Sequence, residues 1–188
     1  MSLKSFKNIS NFRTHSNLIS GLKFAGYSGY LGTDPNYFTG KTAINSGYSS
    51  IFTNLTTSTN GAYVANVGDS FSIQWLGYFL ADETGTWTFS TTSDDGSCLW
   101  LGDSAKTGNF TLANCLINNS EHGFETKTNT ISLVKNTIYP IRIQYGENNG
   151  GNDINVSFIK PSGGTTQIYN GTGYYFSTFE SIWLFHLV

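Results

Sequence analysis

Charge is what this sequence has least of. Only 12% of its 188 residues are Asp, Glu, Lys or Arg, about half the usual ~25%, so the surface must be built from neutral polar groups. With a net charge of −2 and no cluster of Lys or Arg, nothing is available to neutralise a phosphate backbone, the dominant source of nucleic-acid affinity. Nucleic acid is therefore not an expected partner. Long apolar runs are missing as well. The C-terminal "IWLFHLV" has only seven residues where a membrane-spanning helix needs about 20, so no membrane span is expected. The first twenty residues, "MSLKSFKNISNFRTHSNLIS", contain no apolar core of a secretory signal. An extracellular or virion-surface location is still the expectation from composition, reached by another export route, as a virion component, or as part of a longer chain.

Cysteine is nearly absent. Cys98 and Cys115 are too far apart in sequence to form a metal-type pair. Either one bridge ties a loop to the strand after Asp95, or they are two unrelated buried thiols. Helical periodicity is also lacking, which excludes bundles and coiled coils.

The chain does hold 21 Gly, 14 Phe, 11 Tyr and runs of Asn, Ser and Thr. Aromatic and β-branched residues alternate with polar ones in short runs, so the fold class is all-β. Strands are expected at Gly21–Tyr27, Ser70–Phe79, Gly85–Thr92, Cys98–Leu101, Thr130–Leu133, Tyr139–Tyr145 and Ile154–Ile159. Phe71, Ile73 and Trp75 share one face before the run turns continuously apolar, as in a central strand covered on both sides. The Glu83-Thr84-Gly85 connection predicts a hairpin between the strands around it. The polar, Gly/Asn-rich stretches Gly29–Asn66 and Gly102–Asn129 suit functional loops on a rigid scaffold. Residues 1–20 are read as an N-terminal extension, 21–178 as one domain, and 179–188 as an apolar tail that could pair with another chain in an oligomer or larger assembly.

Two constellations carry chemistry. Ser93-Asp94-Asp95-Gly96 sets adjacent carboxylates between apolar strands. Consecutive side chains on a strand point to opposite faces, so aiming both at one point requires a backbone bend such as a cis peptide, for which a hard divalent cation with oxygen ligands would compensate. The alternative is an ordinary solvated turn. The second is Gly146-Glu147-Asn148-Asn149-Gly150-Gly151-Asn152-Asp153, a loop dense in oxygens. Glu147, Asn148, Asn149, Asn152 and Asp153 could each donate one to calcium, and its glycines let carbonyls turn inward.

"LGYFLADETGTWTFSTTSDDGSCLWLGDSA" followed by "YPIRIQYGENNGGNDINVSFIKPSGG" resembles the PA14/GLEYA-type lectin domain of yeast flocculins and adhesins. The likeness runs from about Leu22 to Tyr175 and is strongest over Gln74–Gly102 and Tyr139–Gly164. It implies a β-sandwich in which a cis Asp-Asp pair and a later Asn hold calcium, and calcium in turn ligates sugar hydroxyls. On this chain the pair is Asp94 and Asp95. The family's Asn falls on Glu147 without gaps, with backbone carbonyls of Asn149 and Gly151, while a shift of one residue selects Asn148; an Asn in the site is the favoured reading, and the register stays open. The expected ligand contacts are then Asp94, Asp95, Asn149, Asn152 and Asp153, with an aromatic wall drawn from Trp100, Tyr78, Tyr30, Tyr37 or Tyr48.

The resemblance thus implies a calcium-dependent, glycan-binding adhesin domain with neutral cell-surface sugars as partners. The alternative is a structural virion or fibre component whose sandwich mediates protein contacts. An enzyme is not expected. Asp94 or Asp95 with Glu147 could imitate a glycosidase carboxylate pair, but no nucleophile, metalloprotease or phosphate-loop motif is present, and His15, His122 and His186 are isolated in sequence.

Overall fold

The structure is a computed structural model that describes residues 18–49, 64, 68–167 and 176–179. His15, His186 and nearly all of the two terminal stretches lie outside the described residues. Twelve strands are described: β1 (Leu18–Ser20), β2 (Leu22–Ser28), β3 (Asn45–Ser49), β4 (Phe71–Ala81), β5 (Gly85–Asp94), β6 (Gly96–Leu101), β7 (Ile117–Asn119), β8 (Glu125–Leu133), β9 (Thr137–Glu147), β10 (Asp153–Ile159), β11 (Thr165–Gln167) and β12 (Phe176–Phe179). They form two antiparallel sheets. The larger runs β1-β12-β4-β9-β6-β7, with β2 also paired to β4 and β3 to β2; the smaller runs β11-β10-β5-β8. All seven expected strands are present. The loops hid β3 and β7, too short and too polar to read. Leu18–Ser20 pairs with Ser177–Phe179, so both ends of the assigned domain reach slightly into the stretches read as extension and tail.

The alternation seen in sequence is the sandwich itself. Along β5, Trp87, Phe89, Thr91 and Ser93 are buried while Thr86, Thr88, Ser90 and Thr92 face outward. The inner residues pack on Phe71, Ile73, Trp75, Phe79, Ile141, Ile143 and Tyr145 from the larger sheet, at two-sheet spacing. Phe79 is the keystone, its ring 5.2 Å from Trp87, 5.1 Å from Phe89 and 5.3 Å from Phe158, each centroid to centroid.

These contacts correct the hairpin expectation. β4 pairs with β2, β12 and β9, and β5 with β8 and β10. The turn through Glu83 therefore carries the chain from one sheet to the other. Phe79 and Trp87 meet edge to face across the core, which gains more from their burial than edge pairing of the strands would.

The outer face of the larger sheet is a buried polar layer. The Arg142 guanidinium donates to the Ala105 carbonyl (3.1 Å), Thr107 Oγ1 (3.4 Å) and Gln74 Oε1, and lies 3.9 Å over the Phe110 ring. Gln144 donates to the Pro35 carbonyl (2.9 Å). Through these bonds the segments 29–44 and 102–116 are held down on β4 and β9.

Candidate functional site

β5 ends at Asp94 in the smaller sheet and β6 begins at Gly96 in the larger, so only Asp95 separates the two sheets; the Asp94–Asp95 peptide is cis. β9 ends at Glu147 in the larger sheet and β10 begins at Asp153 in the smaller, so residues 148–152 make the reverse crossing. Register sets the two crossings side by side: Gly146 pairs with Gly96 and Asp153 with Asp94. The two oxygen-rich stretches thus share one end of the sandwich.

Both carboxylates face the second loop. The Asn148 backbone N–H donates to Asp95 Oδ2 (2.7 Å), and Asp94 Oδ2 lies 3.0 Å from where a Cβ on Gly151 would stand. Tyr145 Oη lies 2.6 Å from the Asp94 carbonyl and 3.2 Å from Glu147 Oε2, buttressing both crossings from the core side. Glu147 is fully buried and Asn152 nearly so. Asn149, Gly150 and Gly151 are exposed.

Two further segments complete the site. The short β7 places Asn119 where its amide donates to Ser93 Oγ (3.2 Å) and the Glu125 carbonyl (3.2 Å), bracing the strand that delivers Asp94. Just beyond it, Glu121 Oε1 accepts from Asn148 Nδ2 (3.3 Å), and His122 lies close enough to draw the Asp94 pKa down. Next to Glu121, Tyr30 lies over the glycines of the central strands: a Cβ on Gly146 would stand 2.9 Å from its ring and one on Gly96 3.4 Å from its hydroxyl. Glycine is required at 146 because nothing larger fits beneath Tyr30 and Leu31. Glu121 and His122 had no signal in sequence, since their place depends on β7 pairing with β6.

Of the aromatics proposed as a wall, Tyr30 is the one placed over Gly96 and Gly146. Trp100 is a correction: it is fully buried, packed with Cys98, Ala105, Phe110 and Leu112, and donates to the Thr111 carbonyl (2.8 Å), so it cannot face a ligand. Tyr37 donates to the Ser28 carbonyl and packs edge-on against Phe38. Tyr78 pairs with Pro140 far along β4, and Tyr48 is exposed on β3.

The electrostatics are those of crowded carboxylates. Burial, then the charge of Asp95, raises Asp94. Burial, then Asp95, pushes Glu147 up to about 7 against the opposing Tyr145 hydrogen bond. Burial, then Asp94, raises Asp153 against the bond from the Ile154 N–H. The sequence carried no sign of raised carboxyl pKa values, because the largest cause of each rise is burial, which exists only once the sandwich has assembled. Glu147 Oε1, Asn152 Oδ1 and Asp153 Oδ1 are buried without a hydrogen-bond donor. Acceptor oxygens short of donors, beside carboxylates that repel one another, suit a hard cation such as calcium, which takes 6–8 oxygens. Among the described residues no three acidic, His or Cys side chains converge on one point, so such an ion would need amide and main-chain oxygens beside the carboxylates.

A stability test follows. A carboxyl whose folded pKa is raised stabilises the fold below its unfolded pKa and loses that contribution as pH climbs through the folded value. For Glu147 the window runs from about 4.5 to about 7. In chelator, wild type should gain stability relative to Glu147→Gln as pH falls from 7.5 to 5, by on the order of 1–2 kcal/mol after solvent screening at the open end of the sandwich. Parallel thermal melts of the two proteins check this; identical pH profiles would contradict the raised pKa.

Residues 71–160 match the family described as "GLEYA domain". This stretch, a little under half of the chain, is similar to that family. It contains both crossings, β4 to β10 and the Asp-Asp pair. The chain is also similar in fold to the epithelial adhesin 9 A domain from Candida glabrata in complex with Galb1-4GlcNAc, at a TM-score of 0.66 and 17% identity over 91% of this chain and 94% of that one. It is similar to the PA14 domain of MpAFP antifreeze protein, at a TM-score of 0.65 and 14% identity over 89% and 95%. Against an anti-sigma factor domain-containing protein the TM-score is 0.65 at 16% identity, with 84% of this chain covered but only 48% of that chain. At these identities the likeness is one of fold. No curated protein matches the sequence. The GLEYA match and these folds agree with the PA14/GLEYA-type all-β sandwich that the motifs imply.

Proposed function

We propose that this chain is a calcium-dependent carbohydrate-binding domain of adhesin type, working at a cell surface or outside the cell. The observation that carries the reading is the meeting of two sheet crossings at one end of the sandwich, where Asp94 and Asp95 face the 148–152 loop and buried oxygens of Glu147, Asn152 and Asp153 lack donors. The adhesin of the same fold is in complex with a galactose-containing disaccharide, which supports a neutral glycan as the partner here. Asp94 and Asp95 would hold the ion, with Glu147 in the gap-free register and the main-chain carbonyls of the exposed Asn149 and Gly151. Calcium supplies coordination positions at which vicinal sugar hydroxyls replace water, and so favours a neutral ligand in a protein with little charge to offer.

The protein's own groups do the rest. Asn148 holds Asp95 through its N–H, Tyr145 braces Asp94 through the main chain, and Asn149 with the Asn152–Asp153 edge offers amide and carboxylate groups to the sugar. Tyr30 lies beside Glu121, over Gly96 and Gly146. A glycan array probed with calcium and with chelator tests the proposal. Signal on neutral, galactose- or glucose-type glycans that disappears in chelator is expected. An array that stays blank with calcium, or whose signals ignore chelator, would overturn it.

A further inference from the structure

The sequence left Cys98 and Cys115 as either one bridge or two unrelated thiols, and the tertiary structure brings them together. Cys98 lies on β6, buried on the outer face of the larger sheet in a cluster with Trp100 and Ala105, and Cys115 packs against that same cluster from the end of the covering segment. The Leu116 N–H donates to the Leu99 carbonyl (2.8 Å) and Ile117 pairs with Leu99, so the backbone beside each cysteine is already anchored to the other's strand. Both are free thiols. Cys115 is half-exposed and donates to the Leu112 carbonyl (3.0 Å).

We propose that Cys98 and Cys115 are a redox-active pair that closes to a disulfide in an oxidising compartment, pinning the 102–116 segment to the strand that leaves the Asp94–Asp95 crossing. The two are unequal. The neighbouring Cys98 thiol holds Cys115 below the usual thiol range against the opposing effect of burial, while Cys115 and then burial push Cys98 up; the Cys98 thiol itself donates to Asn118 Oδ1 (3.7 Å). Cys115, accessible and more readily ionised, is the attacking group. Its thiolate attacks one sulfur of a small-molecule disulfide, whose S–S bond breaks and releases one thiolate. The Cys98 thiol then gives up its proton to solvent and attacks the Cys115 sulfur of the mixed disulfide, and the second small thiolate leaves. The protein dithiol loses two electrons, and the small disulfide gains them as two thiols.

The bridge is independent of the glycan reading. It would tie a segment otherwise held by Trp100, Phe110, Leu112 and the Arg142 bonds, so oxidation should raise the melting temperature by about 5–10 °C through the lost freedom of the unfolded loop.

The test incubates the native, folded protein with oxidised glutathione and reads intact mass, free thiols and melting temperature. Expected are the loss of two hydrogens, no free thiols, a Cys98–Cys115 cross-linked peptide, the higher melting temperature, and full reversal by dithiothreitol. Cys98→Ser should stop at a stable glutathione adduct on Cys115, and Cys115→Ser should react far more slowly. If the wild type instead halts at the Cys115 adduct, keeps both thiols free, or forms only intermolecular disulfides, the proposal is overturned, whatever the variants do.

Discussion

Chelator-stripped protein carrying both Asp94→Ala and Asp95→Ala is expected to give no calcium heat in a calorimetric titration, a loss of about 100-fold or more in affinity, and no calcium-dependent signal on a glycan array. The reasoning lies in what the fold sets around the pair. Asp95 receives an N–H from Asn148 and Asp94 stands beside Gly151, so both carboxylates address the loop that would supply the remaining oxygens. Without an ion the arrangement costs stability: Asp94 repels Asp95 and Asp153, its partner in register, and like charges directly opposite on a sheet are unfavourable. The double variant should therefore melt no lower than wild type in chelator, and calcium, by binding the native state alone, should raise only the wild type. An outcome in which calcium stabilises both proteins equally would place the ion elsewhere. If calcium has no effect on either, the site is only a charged sheet crossing.

Glu147→Ala is expected to weaken calcium binding by about 10–100-fold and Asn148→Ala by no more than about 3-fold. Sequence alone leaves the two positions open, and the expectation rests on how each residue is held. Glu147 is the last residue of β9, fully buried, close enough to Asp95 for the two charges to repel, with one oxygen lacking a donor. What Asn148 gives the site is its backbone N–H to Asp95, which alanine keeps; its side-chain amide is engaged by Glu121. Glu147→Gln, nearly the same shape, guards against mistaking misfolding for lost coordination. It should fold normally and still bind calcium more weakly than wild type. The reverse ranking would establish the shifted register, and equal, wild-type-like binding by all three variants would make the loop a bystander.

The strands were legible in the chain because period two is a local property. Along Gly85–Asp94 the spacing alone picks out the core face, and along Phe71–Ala81 it picks out Phe71, Ile73, Trp75, Phe79 and Ala81, while Ser72 on the other face is buried as well. The Asp-Asp pair and the 146–153 loop were legible because each concentrates unusual chemistry in a few consecutive residues. Where the structure departs from the reading, the deciding contact is long-range. The Glu83 turn looks like a hairpin because a turn signal says that the chain reverses, not whether it re-pairs in the same sheet or crosses to the facing one. The cluster of Phe79 with Trp87, Phe89 and Phe158 decides that.

Trp100 shows the same limit in reverse: alternation puts it on the face opposite the core, and only the covering segment of Phe110 and Leu112 turns that face into an interior. Tyr30, Glu121 and His122 reach the candidate site because β2, β6, β7 and β9 lie together at one end, far apart though they are in sequence. Cys98 and Cys115 become neighbours because the segment between them folds back over β6. Sequence by itself determined which groups could bind, through local spacing and composition. Which of them share a site was decided by the packing of two sheets, because hydrophobic burial is non-directional and selects a partner face only when the whole core is assembled.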